Sequence, residues 1–273
     1  MKKLMVKSQL MFRQKLLPLL LIFLALQASL AFAIETPKQT KPLRIAVAAN
    51  FAPALKILLA DLPSKEQLNY QIISAATGTL YQQIKHGAPF DLLLSADSIR
   101  PELLEQDNLI IAGSRKTYAY GQIALWSATM PLTSLSVLDE YFGKLAIANP
   151  DTAPYGKAAQ QALHNLSLWP QVKSNLITGI NINQTFQQVR SQAVPLGVVA
   201  NSQLVINQYQ GLIIPVQYYQ PIDQQLVIIK ASHQVDAAQK ISDFILQASS
   251  QKKLQQLGYL PIKLSQEHSK VKH

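Results

Sequence analysis

Short apolar segments alternate with segments of helical period along most of this chain, and that alternation constrains the fold more than any other feature. Strand-like and helix-like runs follow one another in the first third: residues 43–49, 53–62, 70–74, 79–85, 90–96 and 99–105. Strands that are apolar on both faces and separated by helices are typical of a parallel sheet covered on both sides. The sequence therefore predicts an α/β protein.

The alternation stops at a longer extended segment, residues 117–127, and then starts again. The second series of strands and helices occupies residues 144–148, 155–166, 176–179, 183–191 and 196–200. A late strand and two late helices, at residues 224–231, 235–247 and 251–257, have no sheet of their own and are predicted to return to the first unit. We therefore expect two lobes, residues 43–121 plus 224–262 and residues 122–223, joined by crossings near residues 118–125 and 222–227.

The first 33 residues have the features of a signal peptide. A basic front is followed by an apolar run from Leu16 to Leu26 and by Ala31-Phe32-Ala33, a small-x-small cleavage pattern. The apolar run is shorter than the ~20 residues that a membrane span needs. We expect cleavage after Ala33, export to the periplasm, a disordered lead-in at residues 34–42 and a polar tail at residues 263–273.

Composition excludes several classes of function. The net charge is +10, but five of the basic residues lie in the first fifteen positions, which leaves +5 without any dense Lys/Arg run and indicates no nucleic-acid partner. The chain has no cysteine, which excludes disulfides, thiolate metal sites, a thiol nucleophile and a lipid-modified cysteine after the leader.

Small, hydroxyl and amide residues follow most of the predicted strands. The stretch from Ser74 to Ile84 runs from a strand through Thr77 into a helix. Comparable residues follow the other strands: Ala49-Asn50, Ser95-Ala96-Asp97, Asn149 to Gly156, Ile180-Asn181-Ile182-Asn183 and Ala200-Asn201-Ser202. Helix N-termini present unpaired N–H groups and the positive end of the helix dipole, so an anion can bind there. Ligands of open α/β sheets lie beyond the carboxyl ends of the strands. The pattern indicates a fully ionised oxyanion held by neutral donors between two hinged lobes.

The same residues resemble a known family. The matching motifs are Ala46-Val47-Ala48-Ala49-Asn50-Phe51, Ala76-Thr77-Gly78-Thr79-Leu80-Tyr81, Gly87-Ala88-Pro89-Phe90-Asp91, Ala146-Ile147-Ala148-Asn149-Pro150, Ala153-Pro154-Tyr155-Gly156 and Pro195-Leu196-Gly197-Val198-Val199. Together they resemble the periplasmic molybdate-binding proteins of ABC importers over nearly all of residues 43–260, with an Asn-bearing subgroup the most similar. The resemblance implies a two-lobed periplasmic-binding-protein fold of type II, no enzymatic activity, no cofactor, a membrane ABC permease as partner and a monomer. Molybdenum would be present only in the bound oxyanion, molybdate or tungstate.

The resemblance also implies which residues contact the anion. Carried over position by position, they are Ala49 with Asn50, the Thr77 hydroxyl, and the backbone N–H groups of Tyr155 and Ile182. Some relatives place a tyrosine donor where this chain has Ala200, so one donor is absent, and the Asn50 amide is expected to replace it.

Each of these residues also has a purely structural interpretation. Asn50 and Thr77 could cap helices, Tyr155 could be a hydrophobic staple, and Ile182 could be a core side chain. Asp97 is expected to cap the helix from Ile99. The four arginines outside the leader are expected to form salt links rather than to bind the ligand: Arg44, Arg100, Arg115 and Arg190.

Other functions are weighed against molybdate binding. The five histidines are scattered and no His-Glu-x-x-His, Gly-x-Ser-x-Gly or P-loop motif is present, which argues against an enzyme; the similarly folded deaminase of tetrapyrrole synthesis needs a cysteine that is absent here. A phosphate binder needs a buried acceptor, for which Asp97 or Asp151 is a candidate. Sulfate remains open, and a ferric-ion site could use tyrosines, the candidates being Tyr118, Tyr120, Tyr218 and Tyr219. A pure adhesion protein is not supported by any repeat or low-complexity tract.

Overall fold

The computed structural model describes residues 41–63 and 68–262. The predicted signal peptide with its cleavage site, residues 34–40 of the predicted lead-in and the predicted tail at residues 263–273 lie outside the described residues. Within the described part, no helix has the length and apolar character that crossing a bilayer requires.

Ten strands form two sheets in the described chain. In order they are β1 (Leu43–Ala48), β2 (Tyr70–Ala75), β3 (Leu92–Leu94), β4 (Lys116–Gly121), β5 (Ile123–Trp126), β6 (Leu145–Ala148), β7 (Leu176–Gly179), β8 (Leu196–Ala200), β9 (Leu212–Ile213) and β10 (Ile222–Ile228). The α-helices are α1 (Ala52–Ala60), α2 (Thr77–Lys85), α3 (Ile99–Gln106), α4 (Pro154–Asn165), α5 (Trp169–Val172), α6 (Ile182–Arg190), α7 (Asn201–Ile206), α8 (Val235–Leu246) and α9 (Ala248–Gln256).

The first sheet has the strand order β2-β1-β3-β10-β4 and the second has the order β7-β6-β8-β5-β9. Strands β1, β2 and β3 run parallel, as do β6, β7 and β8. One strand in each sheet runs the other way: β10 is antiparallel to its neighbours β3 and β4, and β5 is antiparallel to its neighbours β8 and β9. The α/β class and the two-lobed architecture agree with the prediction, and the strands from which a parallel sheet was predicted, β1, β2 and β3, do run parallel. Each sheet as a whole is mixed, because the strand that follows each crossing, β5 or β10, is antiparallel to its neighbours.

The central strands of each sheet are buried on both faces. In β1, Leu43, Ile45 and Val47 pack on one side with α1, α8 and α9, while Ala46 packs on the other side with α2 and α3. The second sheet divides in the same way: Ile147 of β6 packs toward α4, and Ala146 packs toward α6. Alternation of side chains along a strand therefore explains why these strands carry hardly any polar residue.

The two crossings leave the first sheet side by side. Gly121, the last residue of β4, is the register partner of Ile222, the first residue of β10. The predicted extended segment 117–127 is two strands divided at Gln122, one in each sheet. The return to the first sheet occurs at Ile222, two residues before the predicted boundary at residue 224, because Ile222 and Asp223 already pair with β4.

Candidate functional site

A small cavity lies where helices α2, α4 and α6 begin, at the carboxyl ends of strands in both sheets. Alanine is the commonest residue type in its lining, which is Ala48, Ala49, Asn50, Ala76, Thr77, Ala96, Ala153, Pro154, Tyr155, Asn181 and Ile182. The cavity is small, about 10 Å³, which is near the smallest volume that holds a single water molecule. All five residues predicted from the sequence, Ala49, Asn50, Thr77, Tyr155 and Ile182, line this cavity.

Thr77 is the first residue of α2 and does not cap it. The N-cap is Ala76, which has extended dihedral angles and no side chain able to cap. The Thr77 Oγ1 instead accepts a hydrogen bond from the Ala96 N–H at 2.9 Å, and Thr77 is 1% exposed. Because the oxygen already accepts a bond, the hydroxyl proton remains for a group in the cavity.

Asn50 sits in the tight turn that joins β1 to α1. The turn is closed by the Phe51 N–H donating to the Ala48 carbonyl at 2.8 Å, and the Ala49 N–H donates to the Ala75 carbonyl at 3.0 Å. The Ala49 N–H is therefore engaged within the first sheet, and Ala49 contributes only its surface to the cavity. The N-cap of α1 is Phe51, so Asn50 does not have the capping role considered from the sequence.

The Asn50 side chain is buried in a polar network. Its Nδ2 donates to the Gln224 Oε1 at 2.7 Å and to the Tyr155 hydroxyl at 3.3 Å. Its Oδ1 is buried without a hydrogen-bond partner in the described structure. The Tyr259 hydroxyl fixes the backbone of the turn by donating to the Asn50 carbonyl at 3.0 Å.

Tyr155 contributes to the site through its backbone N–H and through its side-chain hydroxyl. It is the second residue of α4, after Pro154, so helix geometry leaves its N–H without an intrahelical acceptor. Its hydroxyl reaches the first lobe and accepts from Asn50 Nδ2 and from Gln224 Nε2, each at 3.3 Å. A Cβ on Gly121 would lie 2.2 Å from this hydroxyl, so only glycine leaves room for it. The side-chain bonds to the first lobe were not foreseen from the sequence.

Burial keeps the phenols of this network neutral. It raises the pKa of Tyr155 and of Tyr118 well above the ordinary value, and it raises the pKa of Tyr259 as well. A neutral hydroxyl retains its proton for hydrogen bonding and adds no negative charge beside the cavity.

Ile182 is the first residue of α6, and its N–H likewise has no intrahelical acceptor. The preceding Asn181 caps the helix, because its Oδ1 accepts from the Gln184 N–H at 2.9 Å. Gln203 links the start of α6 to the end of β8, because its Nε2 donates to the Ile182 carbonyl at 3.4 Å and its Oε1 accepts from the Ala200 N–H at 3.3 Å. Ala200, the departure noted in the sequence, lies outside the cavity lining.

Charged side chains lie away from the cavity wall. Asp97 pairs with Arg100 at 2.5 Å and accepts from the Arg100 N–H at 3.0 Å, at the start of α3. Arg115 pairs with Glu105 at 2.7 Å. Among the described residues that line the cavity there is no Asp, Glu, Lys, Arg or His, and the four tyrosines considered for ferric ion are also absent from the lining.

The two lobes are in contact around the cavity. The Gly78 N–H, in the first turn of α2, donates to the Thr152 carbonyl of the second lobe at 2.9 Å. Beside it, Arg100 Nη2 donates to the Asp151 carbonyl at 3.0 Å. Alanines 48, 49, 76 and 96 of the first lobe belong to the same apolar cluster as the core of the second lobe. The cleft is therefore closed in this structure.

Gln224 is a member of the network that sequence reasoning missed. It is 0% exposed, lies in β10 and contacts both Asn50 and Tyr155. A signal did exist, since Gln224 and Gln225 are consecutive amides in a strand that is otherwise mostly apolar and buried. A buried amide needs partners, and that requirement points to a polar network even when the partners are unknown.

Comparison with known proteins gives a consistent family assignment. The family model described as bacterial extracellular solute-binding protein matches residues 43–260. The molybdate-binding protein ModA of Azotobacter vinelandii is 36% identical over 81% of this chain and 90% of its own length. ModA of Rhodobacter capsulatus is 31% identical over 85% of this chain and 93% of its own length.

A solved structure resembles the whole described fold. The periplasmic molybdate-binding protein of Azotobacter vinelandii superposes with a TM-score of 0.77 at 30% identity, covering 81% of this chain and 100% of that one. Solute-binding proteins of this family serve transport and are not enzymes, in agreement with the prediction from the sequence. The chain therefore belongs to the bacterial extracellular solute-binding protein family, together with the molybdate-binding proteins to which it is similar.

Proposed function

We propose that this protein captures molybdate between its two lobes in the periplasm and delivers it to a membrane ABC permease. The observation that carries the proposal is a cavity at the point where three helices begin, with no charged side chain among the described residues that line it. The relatives that are named molybdate-binding proteins support the same ligand.

Neutral donors suit a dianion in a closed cleft. Hydrogen bonds to a charged acceptor are short and roughly twice as strong as neutral ones, and helix N-termini add a favourable field. A lysine or arginine in the wall would have to be desolvated together with the anion, at a cost that ion pairing does not always recover. The alanines of the wall let backbone N–H groups approach the ligand closely.

The proposed contacts divide between the lobes. From the first lobe, Thr77 would donate its hydroxyl proton and Asn50 would contact the anion through its side-chain amide, while the N–H groups of Tyr155 and Ile182 would donate from the second lobe. Ala49 would contribute van der Waals contact only, since its N–H is bonded to Ala75. Molybdenum would enter as part of the anion and would not be coordinated by the protein.

Closure couples binding to transport. Either lobe alone presents half of the donors, so the anion gains contacts only when the cleft shuts and shifts the population toward the closed form. The closed form has its own contacts between the lobes, such as Gly78 with Thr152. A permease that recognises the closed form would then accept loaded protein in preference to empty protein.

The lining also bears on competing ligands. Hydrogen phosphate needs a buried acceptor for its proton, and Asp97 and Asp151 both lie outside the cavity lining. Tungstate has the same charge and nearly the same size as molybdate, so we expect it to bind as well. We also propose that the mature protein is a monomer, starts after Ala33 and has no nucleic-acid partner.

Calorimetric titration tests the ligand. The purified protein is titrated with molybdate, tungstate, sulfate, phosphate and ferric citrate in turn. We expect one anion per chain and tight binding of molybdate and tungstate. Tight binding of sulfate, phosphate or ferric ion without any binding of molybdate would exclude the proposal.

A further inference from the structure

We propose that Gln224 is a positioning residue that turns the Asn50 amide so that its N–H₂ group faces the anion. The inference rests on the proposed function and adds a residue outside the cavity lining to the binding machinery. Three groups form the relay behind Asn50: Gln224 on β10, Tyr118 on β4, and the Ser95 carbonyl after β3.

The network has two possible arrangements, because the oxygen and nitrogen of an amide occupy nearly equivalent positions and the bonds around them decide which is which. In the first, Asn50 Nδ2 donates to Gln224 Oε1 at 2.7 Å and Gln224 Nε2 donates to the Tyr155 hydroxyl at 3.3 Å. The Asn50 Oδ1 is then buried, has no partner in the described structure and belongs to a residue that lines the cavity. A bare acceptor is the wrong group to present to an anion.

The first arrangement also requires Tyr118 to donate two hydrogen bonds from one hydroxyl. Its hydroxyl lies 3.0 Å from the Ser95 carbonyl oxygen and 3.2 Å from Gln224 Oε1, and both are acceptors. A phenol has one proton, so only one of these contacts can be a hydrogen bond. Burial raises the pKa of Tyr118, which keeps that single proton in place.

Rotating both amides by half a turn keeps the 2.7 Å bond and resolves the conflict at Tyr118. Gln224 Nε2 then donates to Asn50 Oδ1 across the 2.7 Å contact and to the Tyr118 oxygen across the 3.2 Å contact. Tyr118 gives its proton to the Ser95 carbonyl, and the Tyr155 hydroxyl, which then lies 3.3 Å from the oxygens of both Asn50 and Gln224, donates its one proton to one of them. Each arrangement therefore leaves one phenol contact without a hydrogen bond, and the group that Asn50 presents to the cavity decides between them.

In this second arrangement the Asn50 Nδ2 takes the place of the unpartnered oxygen. A donor now occupies the position that had no partner, and the remaining polar wall groups that we assign to the ligand are donors too. The wall then favours an anion that carries no proton of its own, since an added proton would find no acceptor. Gln224 thus sets both the affinity and the preference for fully deprotonated anions.

A double-mutant cycle with molybdate as the probe tests this role. Gln224→Met keeps the length of the side chain and removes its amide, and we expect roughly ten- to a hundredfold weaker binding. Asn50→Ala should also weaken binding. If Gln224 acts only through Asn50, the double variant should bind no more weakly than Asn50→Ala alone, whereas a general packing defect would add a further loss.

Gln225→Met is the matched control on the same strand. Gln225 contacts Thr117, Asp223 and Arg115 and lies outside the cavity lining. The Gln225→Met protein should therefore bind molybdate with the same affinity as the unaltered protein. If Gln224→Met does not fold by circular dichroism, Tyr118→Phe takes its place in the cycle, because it removes the hydroxyl that holds Gln224.

The outcomes separate the two claims. If the unaltered protein does not bind molybdate, the proposed function is wrong. If the unaltered protein binds and Gln224→Met binds equally well, or loses as much affinity in the Asn50→Ala background as alone, the positioning role is wrong.

Discussion

The two walls of the cavity offer hydrogen-bond donors of different origin. On the first-lobe side the polar groups are side chains, Thr77 and Asn50, and each is held by a bond from behind, to Ala96 and to Gln224. On the second-lobe side the available donors are the backbone N–H groups at the starts of α4 and α6, fixed by Pro154 and by the Asn181 cap. Side-chain donors can be removed by substitution, whereas backbone donors persist when the side chain changes. Point substitutions in the first wall should therefore have the larger effects on affinity.

The strongest test of this contrast is Asn50→Asp. A carboxylate of nearly the same shape would face the anion from a residue that is 1% exposed, and close like charges cost several kcal/mol. We expect molybdate binding to fall more than about a hundredfold in calorimetry. Asn149→Asp, which adds the same charge outside the lining, should lose far less, and an equal loss in both variants would attribute the effect to net charge alone.

Thr77→Ala removes the other side-chain donor of the first wall. The expected loss of binding free energy is about 1–3 kcal/mol, because the hydroxyl donates to a charged acceptor. The Ala96 N–H also loses its acceptor, so the free energy of unfolding should fall as well. Thr77→Ser keeps the hydroxyl and should restore most of both quantities. Unchanged affinity in Thr77→Ala would remove this hydroxyl from the site.

Gly78→Ala addresses the contact between the walls. An added Cβ would lie 3.0 Å from the Thr152 carbonyl oxygen and 3.1 Å from its Cα, which are backbone atoms that cannot turn aside. We expect closure to weaken and affinity to fall by about 1 kcal/mol, while the better helix propensity of alanine adds up to about 1 kcal/mol to the free energy of unfolding. Thr79→Ala, on the exposed neighbour, is the control. Affinity and stability that change in the same direction would contradict this explanation.

Ile182→Val should have the smallest effect on binding. The side chain is 3% exposed and its truncation should lower the free energy of unfolding by about 0.5–1.5 kcal/mol. The backbone N–H remains in place, so the dissociation constant for molybdate should change by less than about threefold. A large loss of affinity would mean that the second wall depends on its side chains after all.

The convergence of the site could be predicted from local patterns, because the carboxyl ends of parallel strands meet at one edge and helix N-termini follow them. Asn50, Thr77, Tyr155 and Ile182 are separated by up to 132 positions in the sequence, and strand periodicity still indicated that they meet. The ligand itself was suggested only by the resemblance to a family. Local patterns could not give the direction of β5 and β10, because direction depends on where the chain re-enters each sheet.

The hydrogen-bond network of Asn50, Gln224 and Tyr155 could not be predicted from local sequence patterns either. Gln224 follows Asn50 by 174 residues, and nothing near either residue identifies the other as its partner. Tyr155 was expected to act through its backbone, and its hydroxyl proved to be a link to the first lobe because Gly121 leaves space beside it. Such contacts depend on three-dimensional packing of distant elements, which no single sequence window contains.

The side-by-side departure of the two crossings at Gly121 and Ile222 has a practical consequence. The two crossings form one hinge for the two lobes, so a small rotation at the hinge produces a large displacement at the edges of the lobes that lie farthest from it. The chain contains no native thiol, and a dye pair attached to two introduced cysteines, one on each of these edges, would label only those positions. The polypeptide is thus already suited to conversion into an optical sensor whose signal follows the free concentration of its anion.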